Sequence, residues 1–293
     1  MGCSVQCSAE FYESAVMLSE TKTHADLKMV TPDELRAAIR AGLYKGHTAG
    51  LAAGKLQCNL AILSECYALD FLRFCQRNPK PCPIVGIGDS GSPFLPTLGK
   101  EIDIRSDVSK YRVFQDGVLR EEVTDISNIW SEDLVTVALG CSFTFENALI
   151  RNGIPVRHIE TGKNVPMYRS NIDLVPAGRF SGKMVVTMRP IPEDLVEQAR
   201  RISRQYPQAH GAPIATGDPA EIGIADLSQP DWGDAVEIQP DEVPVYWACG
   251  VTPQNVLLDA KLPICITHSP GHMLVTDVSE DAETTILPNP QNS

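Results

Sequence analysis

The segment Val245–Asp277 constrains the chain most, because it reads as one strand–helix–strand unit with polar groups of catalytic type at both ends. It runs VYWACGVTPQNVLLDAKLPICITHSPGHMLVTD. Val245–Ala248 is an apolar run that ends at Cys249-Gly250. Thr252 can cap a helix with Pro253 at its first position, where a missing N–H costs nothing. Leu262–Thr267 is a second apolar run, stopping at His268 in a Ser-Pro-Gly-His turn. In open α/β sheets the residues just past the carboxyl ends of strands face the ligand crevice. Cys249 and His268 are therefore the first candidates for chemistry.

The rest of the chain alternates in the same way. Thr31-Pro32-Asp33-Glu34 is a helix start, with an N-cap, a proline at the first position and a capping-box glutamate. Helical pattern continues over 49–77 until the prolines of 79–83 end it. Ile84–Ile87 is a short strand, and Tyr111–Phe114 with Val118–Val123 forms a hairpin around Asp116-Gly117. Leu134–Leu139 is a buried strand running into Gly140-Cys141-Ser142 and a helix. Ile154–Ile159 and Met184–Met188 are further strands, and 192–206 is an amphipathic helix. This alternation predicts the α/β class. The expected form is a three-layer α/β/α domain with a mixed or parallel sheet holding 84–87, 134–139, 245–248 and 262–267. The main domain would take 29–110 and 190–280, and a smaller two-layer α+β subdomain 111–189. Residues 1–28 read as a flexible or helical extension and 281–293 as a tail. No internal repeat and no low-complexity tract is visible.

Composition narrows the function classes. A net charge of −12 over 293 residues gives phosphate backbones and anionic lipids nothing to hold, so neither nucleic acid nor membrane is an expected partner. A small amino or carboxylic acid is the expected ligand, with a homo-oligomer allowed. Nine cysteines without a CxxC pair suit reduced thiols in the cytoplasm better than a disulfide framework. No apolar run reaches membrane-spanning length, and the first 25 residues lack a basic start and a long apolar core.

Several groups could carry chemistry. Backbone N–H groups at the helix start after Cys141 and Ser142 could hold a carboxylate, and the dipole would lower the Cys141 pKa. Glu146 reads as a first-turn acid complementing that dipole. Asp218, Asp226, Asp231 and Asp234 fall within seventeen residues; they could ligate a hard cation, serve as acid and base, or merely build turns. His268 and His272 are four apart, but Pro270 and Gly271 between them argue against a helical metal pair. No comparable ligand set exists, so no metal and no cofactor are expected. Arg169, Arg179 and Arg189 are possible clamps for a substrate carboxylate.

Long motifs then carry a family likeness. GHTAGLAAGKLQCNLAIL (46–63), DFLRFCQRNPKPCP (70–83), GCSFTFENAL (140–149), NVPMYRSNI (164–172), HGAPIATGDP (210–219), IGIADL (222–227), VPVYWACGVTPQ (243–254) and ITHSPGHMLVTD (266–277) together resemble the D-glutamate cyclase family, whose bacterial members go by the name hydro-lyase. The resemblance runs from about Thr31 to Asp277. It implies a metal-free, two-domain α/β protein that closes D-glutamate to 5-oxo-D-proline with loss of water. One departure stands out: members commonly carry a histidine two residues after the HGAP proline, where this chain has Ala215.

Such a ring closure needs a base, an acid, an anchor for the α-carboxylate and an oxyanion stabiliser. The expected catalytic set is His268, with Asp277 or Asp218 orienting it, and Cys141 and Cys249 beside it. Arg169, Ser142, Asn171 and Thr252 are the expected substrate contacts. Two rival readings remain open. One is a non-catalytic small-molecule-binding or regulatory protein, which Ala215 favours. The other is a metal-dependent hydrolase.

Overall fold

The computed structural model describes residues 21–281. The extension up to residue 20, with Cys3 and Cys7, and the tail beyond 281 lie outside the described residues. Helix α1 (Pro32–Arg40) starts where its sequence directs, with the Glu34 carboxylate accepting from Thr31 N and Oγ1 at 2.9 Å each. Leu35 and Ile39 of α1 bury against Leu27, Leu51 and Val275.

Two sheets follow, and helices mix with them in an α/β chain. The larger contains β1 (Lys55–Ser64), β2 (Ile84–Ile87), β3 (Tyr111–Gln115), β4 (Val118–Val123), β5 (Leu134–Gly140), β10 (Cys265–His268) and β11 (Leu274–Ser279). Its order is β2-β5-β1-β10-β3-β4, with β11 also on β1. The smaller is β6-β7-β9-β8, from β6 (Met167–Asp173), β7 (Lys183–Pro192), β8 (Ala215–Thr216) and β9 (Glu242–Ala248).

Every registered pair is antiparallel, which corrects the expected mixed or parallel sheet. The strand at 245–248 also leaves the expected sheet. Helix α6 (Val251–Asp259) does not return the chain to the sheet it came from; it leads from β9 in the smaller sheet to β10 in the larger. Continuous apolar runs such as Leu134–Leu139 mark burial on both faces, which fits either strand direction. The hairpin 111–123, expected in the unit 111–189, pairs through β3 with β10 in the larger sheet. Two spans take the other form: 49–77, expected as helix, holds strand β1 before α2 (Glu65–Arg77) begins, and 154–159, expected as a strand, holds the short helix α4 (Arg157–Glu160).

On the larger sheet one face packs against helix α2 (Glu65–Arg77) and α6, through Phe71, Phe74, Val256 and Leu257. The other is covered by Leu95, Leu98, Ile102, Ile104 and Val108 from an irregular segment. Between β9 and β7, Trp247 and Val245 pack with Phe145 and Leu149 of α3 (Phe143–Arg151) and with Ala199 and Ile202 of α5 (Val196–Ser203).

The chain contains an internal repeat after all. Superposing β1 on β7 by Lys55 and Lys183 places Cys58 with Val186. Their cross-strand partners are Gly140 and Ala248, so Cys141 falls on Cys249. The outer strands match too: Cys58 pairs with Leu274 and Val186 with Tyr168, each beside a bulge of the same sense. Thr276 Oγ1 donates to Leu56 O at 2.8 Å and accepts from Val278 N; Ser170 Oγ donates to Met184 O at 2.7 Å and accepts from Ile172 N. Gly88 N bonds Thr136 O and Gly217 N bonds Pro244 O, again at matching positions. The strand orders β2-β5-β1-β11 and β8-β9-β7-β6 are therefore equivalent. One strand of each unit is exchanged. Strand β6 follows the first unit in the chain yet completes the second unit's sheet, while β11 follows the second and completes the first.

Candidate active site

A cavity of about 630 Å³ opens beside the first unit, within the size range of small-molecule sites. Four of the quoted motifs meet there, one of them, 164–172, through Asn164. His47, Gly50, Leu51 and Gln57 come from 46–63, Phe143, Glu146 and Asn147 from 140–149, and Pro270 and Gly271 from 266–277. His158 of α4 closes the wall.

The polar centre behind this wall is a buried ion-pair network. The Arg189 guanidinium on β7 is fully buried and donates to the Glu146 carboxylate, to Ser142 Oγ at 3.2 Å and to Thr187 Oγ1 at 2.9 Å. Its planar group also stacks near Phe145 and Trp247, at 4.9 and 5.3 Å. His158 Nε2 lies 3.4 Å from Glu146 Oε1. Burial alone would raise the Glu146 carboxyl, but Arg189 and His158 outweigh it and bring it down to about 2. Glu146 is therefore a fixed anion that holds an imidazole. Among the titratable side chains of the lining, Glu146 is already neutralised by Arg189, which leaves Lys55 and Lys163 as surplus cations.

The structure distributes the sequence-derived candidates unevenly. Cys141, Ser142 and Cys249 gather around Arg189, near enough for Arg189 and Glu146 to act on both thiols. Burial pushes the Cys141 thiol up to about 12 and Cys249 to about 11, so the expected helix-start lowering of Cys141 is overridden and neither is a thiolate near neutrality. His268 is 1% exposed. Its Nδ1 accepts the Leu60 N–H at 3.0 Å, the Gln254 carboxamide stands 3.2 Å from Nε2, and burial pushes its pKa down to about 3. Asp277 pairs with Arg36 at 2.8 Å and accepts from Lys100 N; Asp218 caps its own turn through Ala220 N at 2.9 Å. Thr252 Oγ1 closes on the Val185 backbone, accepting from N at 3.0 Å and donating to O at 3.1 Å. Arg169 is exposed, lying over Trp232 and 3.5 Å from Asp231, and Asn171 is exposed on the same strand. Ala215 packs against the cluster of Tyr168, Met188 and Tyr246, and none of these residues lines the cavity.

Sequence reasoning passed over Glu146, His158, His47 and Gln57. One signal could have raised the first two. The pattern C-x-x-T-x-[EQ]-N occurs at Cys141–Asn147 and again at Cys249–Asn255. Each copy is followed by a histidine that its acidic or amide residue contacts: Glu146 by His158, Gln254 by His268.

The fold thus sets a buried carboxylate–imidazole pair at the wall of a cavity of small-molecule size. Comparison with known proteins makes this specific. Residues 135–277 match the family model described as D-glutamate cyclase. A Jannaschia protein named "Putative hydro-lyase" is 71% identical over 86% of this chain and 95% of its own length. Equally named proteins of Dinoroseobacter shibae and Verminephrobacter eiseniae are 59% and 56% identical, covering 92% and 90% of this chain and 89% and 94% of their own. The chain belongs to the D-glutamate cyclase family. No helix among the described residues is long and apolar enough to cross a membrane.

Proposed function

We propose that this protein is a hydro-lyase that works in the cavity beside Glu146 and His158, interconverting D-glutamate and 5-oxo-D-proline. The observation that carries the reading is the meeting of four family motifs at one cavity whose wall holds a carboxylate-oriented histidine. In the cyclising direction the substrate amine attacks the side-chain carboxyl carbon. The C–N bond forms, the nitrogen loses a proton, and the C–OH bond breaks as the hydroxyl takes a proton and leaves as water. His158 is the group proposed to carry that proton. Glu146 engages its Nε2, leaving Nδ1 to exchange. Arg189 fixes Glu146, and Lys55 and Lys163 offer positive charge to the substrate carboxylates.

His268 takes a different part in this reading: a neutral imidazole sealed between Leu60 N and Gln254, it holds strand β1 rather than substrate. The hydrolase alternative needs a ligand set, and among the described residues no three His, Cys, Asp or Glu side chains are gathered for a metal ion. The direct test is incubation of purified protein with D-glutamate and, separately, with 5-oxo-D-proline, following both by chiral chromatography. Interconversion by the wild type that is lost in His158→Gln supports the reading. Inert wild type, or full turnover in His158→Gln, overturns it.

A further inference from the structure

The second unit serves as an internal reference for the first. In the second, the threonine of the repeated pattern is fully engaged: Thr252 Oγ1 bonds both N and O of Val185. In the first, the equivalent Thr144 Oγ1 is buried without a partner, and Gln57, which stands where Val185 does, has a buried Oε1 that is also unpartnered. Gln57 is 4% exposed and lines the cavity. Its orientation is fixed, because Nε2 donates to Thr48 O at 3.1 Å and Leu51 O at 3.0 Å, two acceptors that only the amide nitrogen can serve. The free end of the carboxamide is therefore an acceptor. A buried acceptor without a donor is costly and rare in a folded protein. At this matched pair of positions the structure carries that cost beside the cavity and not at Val185 and Thr252.

We propose that the ligand of this cavity supplies the missing donor to Gln57 Oε1, so that the site selects small carboxylic acids bearing an N–H, whether an amino acid ammonium or a lactam, over their oxygen isosteres. The proposal rests on the reading of this cavity as the reaction site and names the feature of the substrate that it recognises. Lys55 and Lys163 each spend one hydrogen bond on a backbone carbonyl, to Asp277 O and Ala235 O, and an ammonium has three donors. Both keep capacity for the carboxylate. A ring oxygen in place of the lactam N–H would set a lone pair against Oε1, and sites built for a hydrogen bond reject such analogues strongly.

The test is calorimetric binding of 5-oxo-D-proline and of its lactone isostere, 5-oxotetrahydrofuran-2-carboxylate of the same configuration. Wild-type protein should favour the lactam by about tenfold or more, and Gln57→Leu should reduce that preference to about threefold or less. Equal binding of lactam and lactone by the wild type overturns the proposal, as does a preference that survives in Gln57→Leu or binding of neither compound. If the variant fails to fold, the pair of ligands on wild-type protein still decides. Selective binding without turnover would leave this inference standing while sinking the hydro-lyase chemistry, so the two failures are separable.

Discussion

Arg189 and Glu146 form an ion pair on adjoining elements with almost no access to water, and that pair sets the position of His158. Removing one member of a buried pair leaves the other charge uncompensated, at about 3–5 kcal/mol. Glu146→Leu and Arg189→Leu should each lower unfolding stability by that order. The double variant should recover part of the loss, since the stranded charge is gone. Single-variant losses that simply add in the double variant, measured by urea denaturation, would contradict the pairing.

His158→Gln should cut turnover by about 10²–10⁴-fold, the usual contribution of a positioned acid–base group, with little change in fold. His268→Gln should do the reverse. It disturbs the acceptor of Leu60 N–H and so lowers thermal stability more than it lowers turnover. Kinetics and melting of the two variants side by side would expose an inverted assignment.

Acid should weaken the fold from near neutrality. Burial holds His268 down to about 3 and His210 down to about 4, against an ordinary value of 6.5. Both imidazoles are neutral in the folded chain and bind protons once it unfolds. The stabilisation is therefore complete above about pH 6.5 and is lost as pH falls toward 4 and 3. Each contributes a slope of about 1.4 kcal/mol per pH unit across that window. Urea midpoints at pH 7, 6 and 5 measure it, and a flat profile would show that these histidines are not sealed.

Thr144→Val and Thr252→Val should differ although their places in the repeat are equivalent. Thr252 loses two hydrogen bonds to Val185 and should cost about 1–3 kcal/mol, whereas Thr144 loses an unpartnered hydroxyl and should be neutral or stabilising. Equal melting shifts would mean that the asymmetry between the units is not real.

The buried thiols should be inert in the native state. Iodoacetamide should reach Cys66, which is exposed, and spare Cys58, Cys75, Cys82, Cys141, Cys249 and Cys265, because alkylation needs both access and thiolate. Rapid native labelling of Cys141 or Cys249 would reopen their candidacy as nucleophiles.

Much of the fold is legible in the residues. The capping signal at Thr31–Glu34, the Asp116-Gly117 hairpin, and the buried runs at 84–87, 134–139 and 262–267 all mark real elements of the structure. Strand direction was not, because Leu134–Leu139 is apolar on both faces and carries no alternation to orient it. Helix α6 was mistaken for a crossover within one sheet, since nothing local in Thr252–Asp259 tells which sheet receives the next strand. The candidate site was half visible. Cys141 and Ser142 lead to the right turn, but Glu146 looked like an ordinary first-turn acid, because its partner Arg189 is contributed by a distant strand. His158 sits in a segment whose spacing suggested a strand, and only the repeated Cys-Thr-Asn pattern ties it to Glu146.

The exchange of β6 and β11 has a kinetic consequence during synthesis. The first unit's sheet spans β1, made early, and β10 and β11, made last, so its central strand has one open edge while most of the chain emerges. An unpaired edge is a template for other chains. Native pairing must wait for release of Cys265–Ser279, and at about 5–20 residues per second the roughly 200 residues between β1 and β10 keep that edge waiting on the order of ten seconds or more. The second sheet, drawn wholly from 167–248, can close while the first still waits, so the half that holds the cavity is the last to be finished.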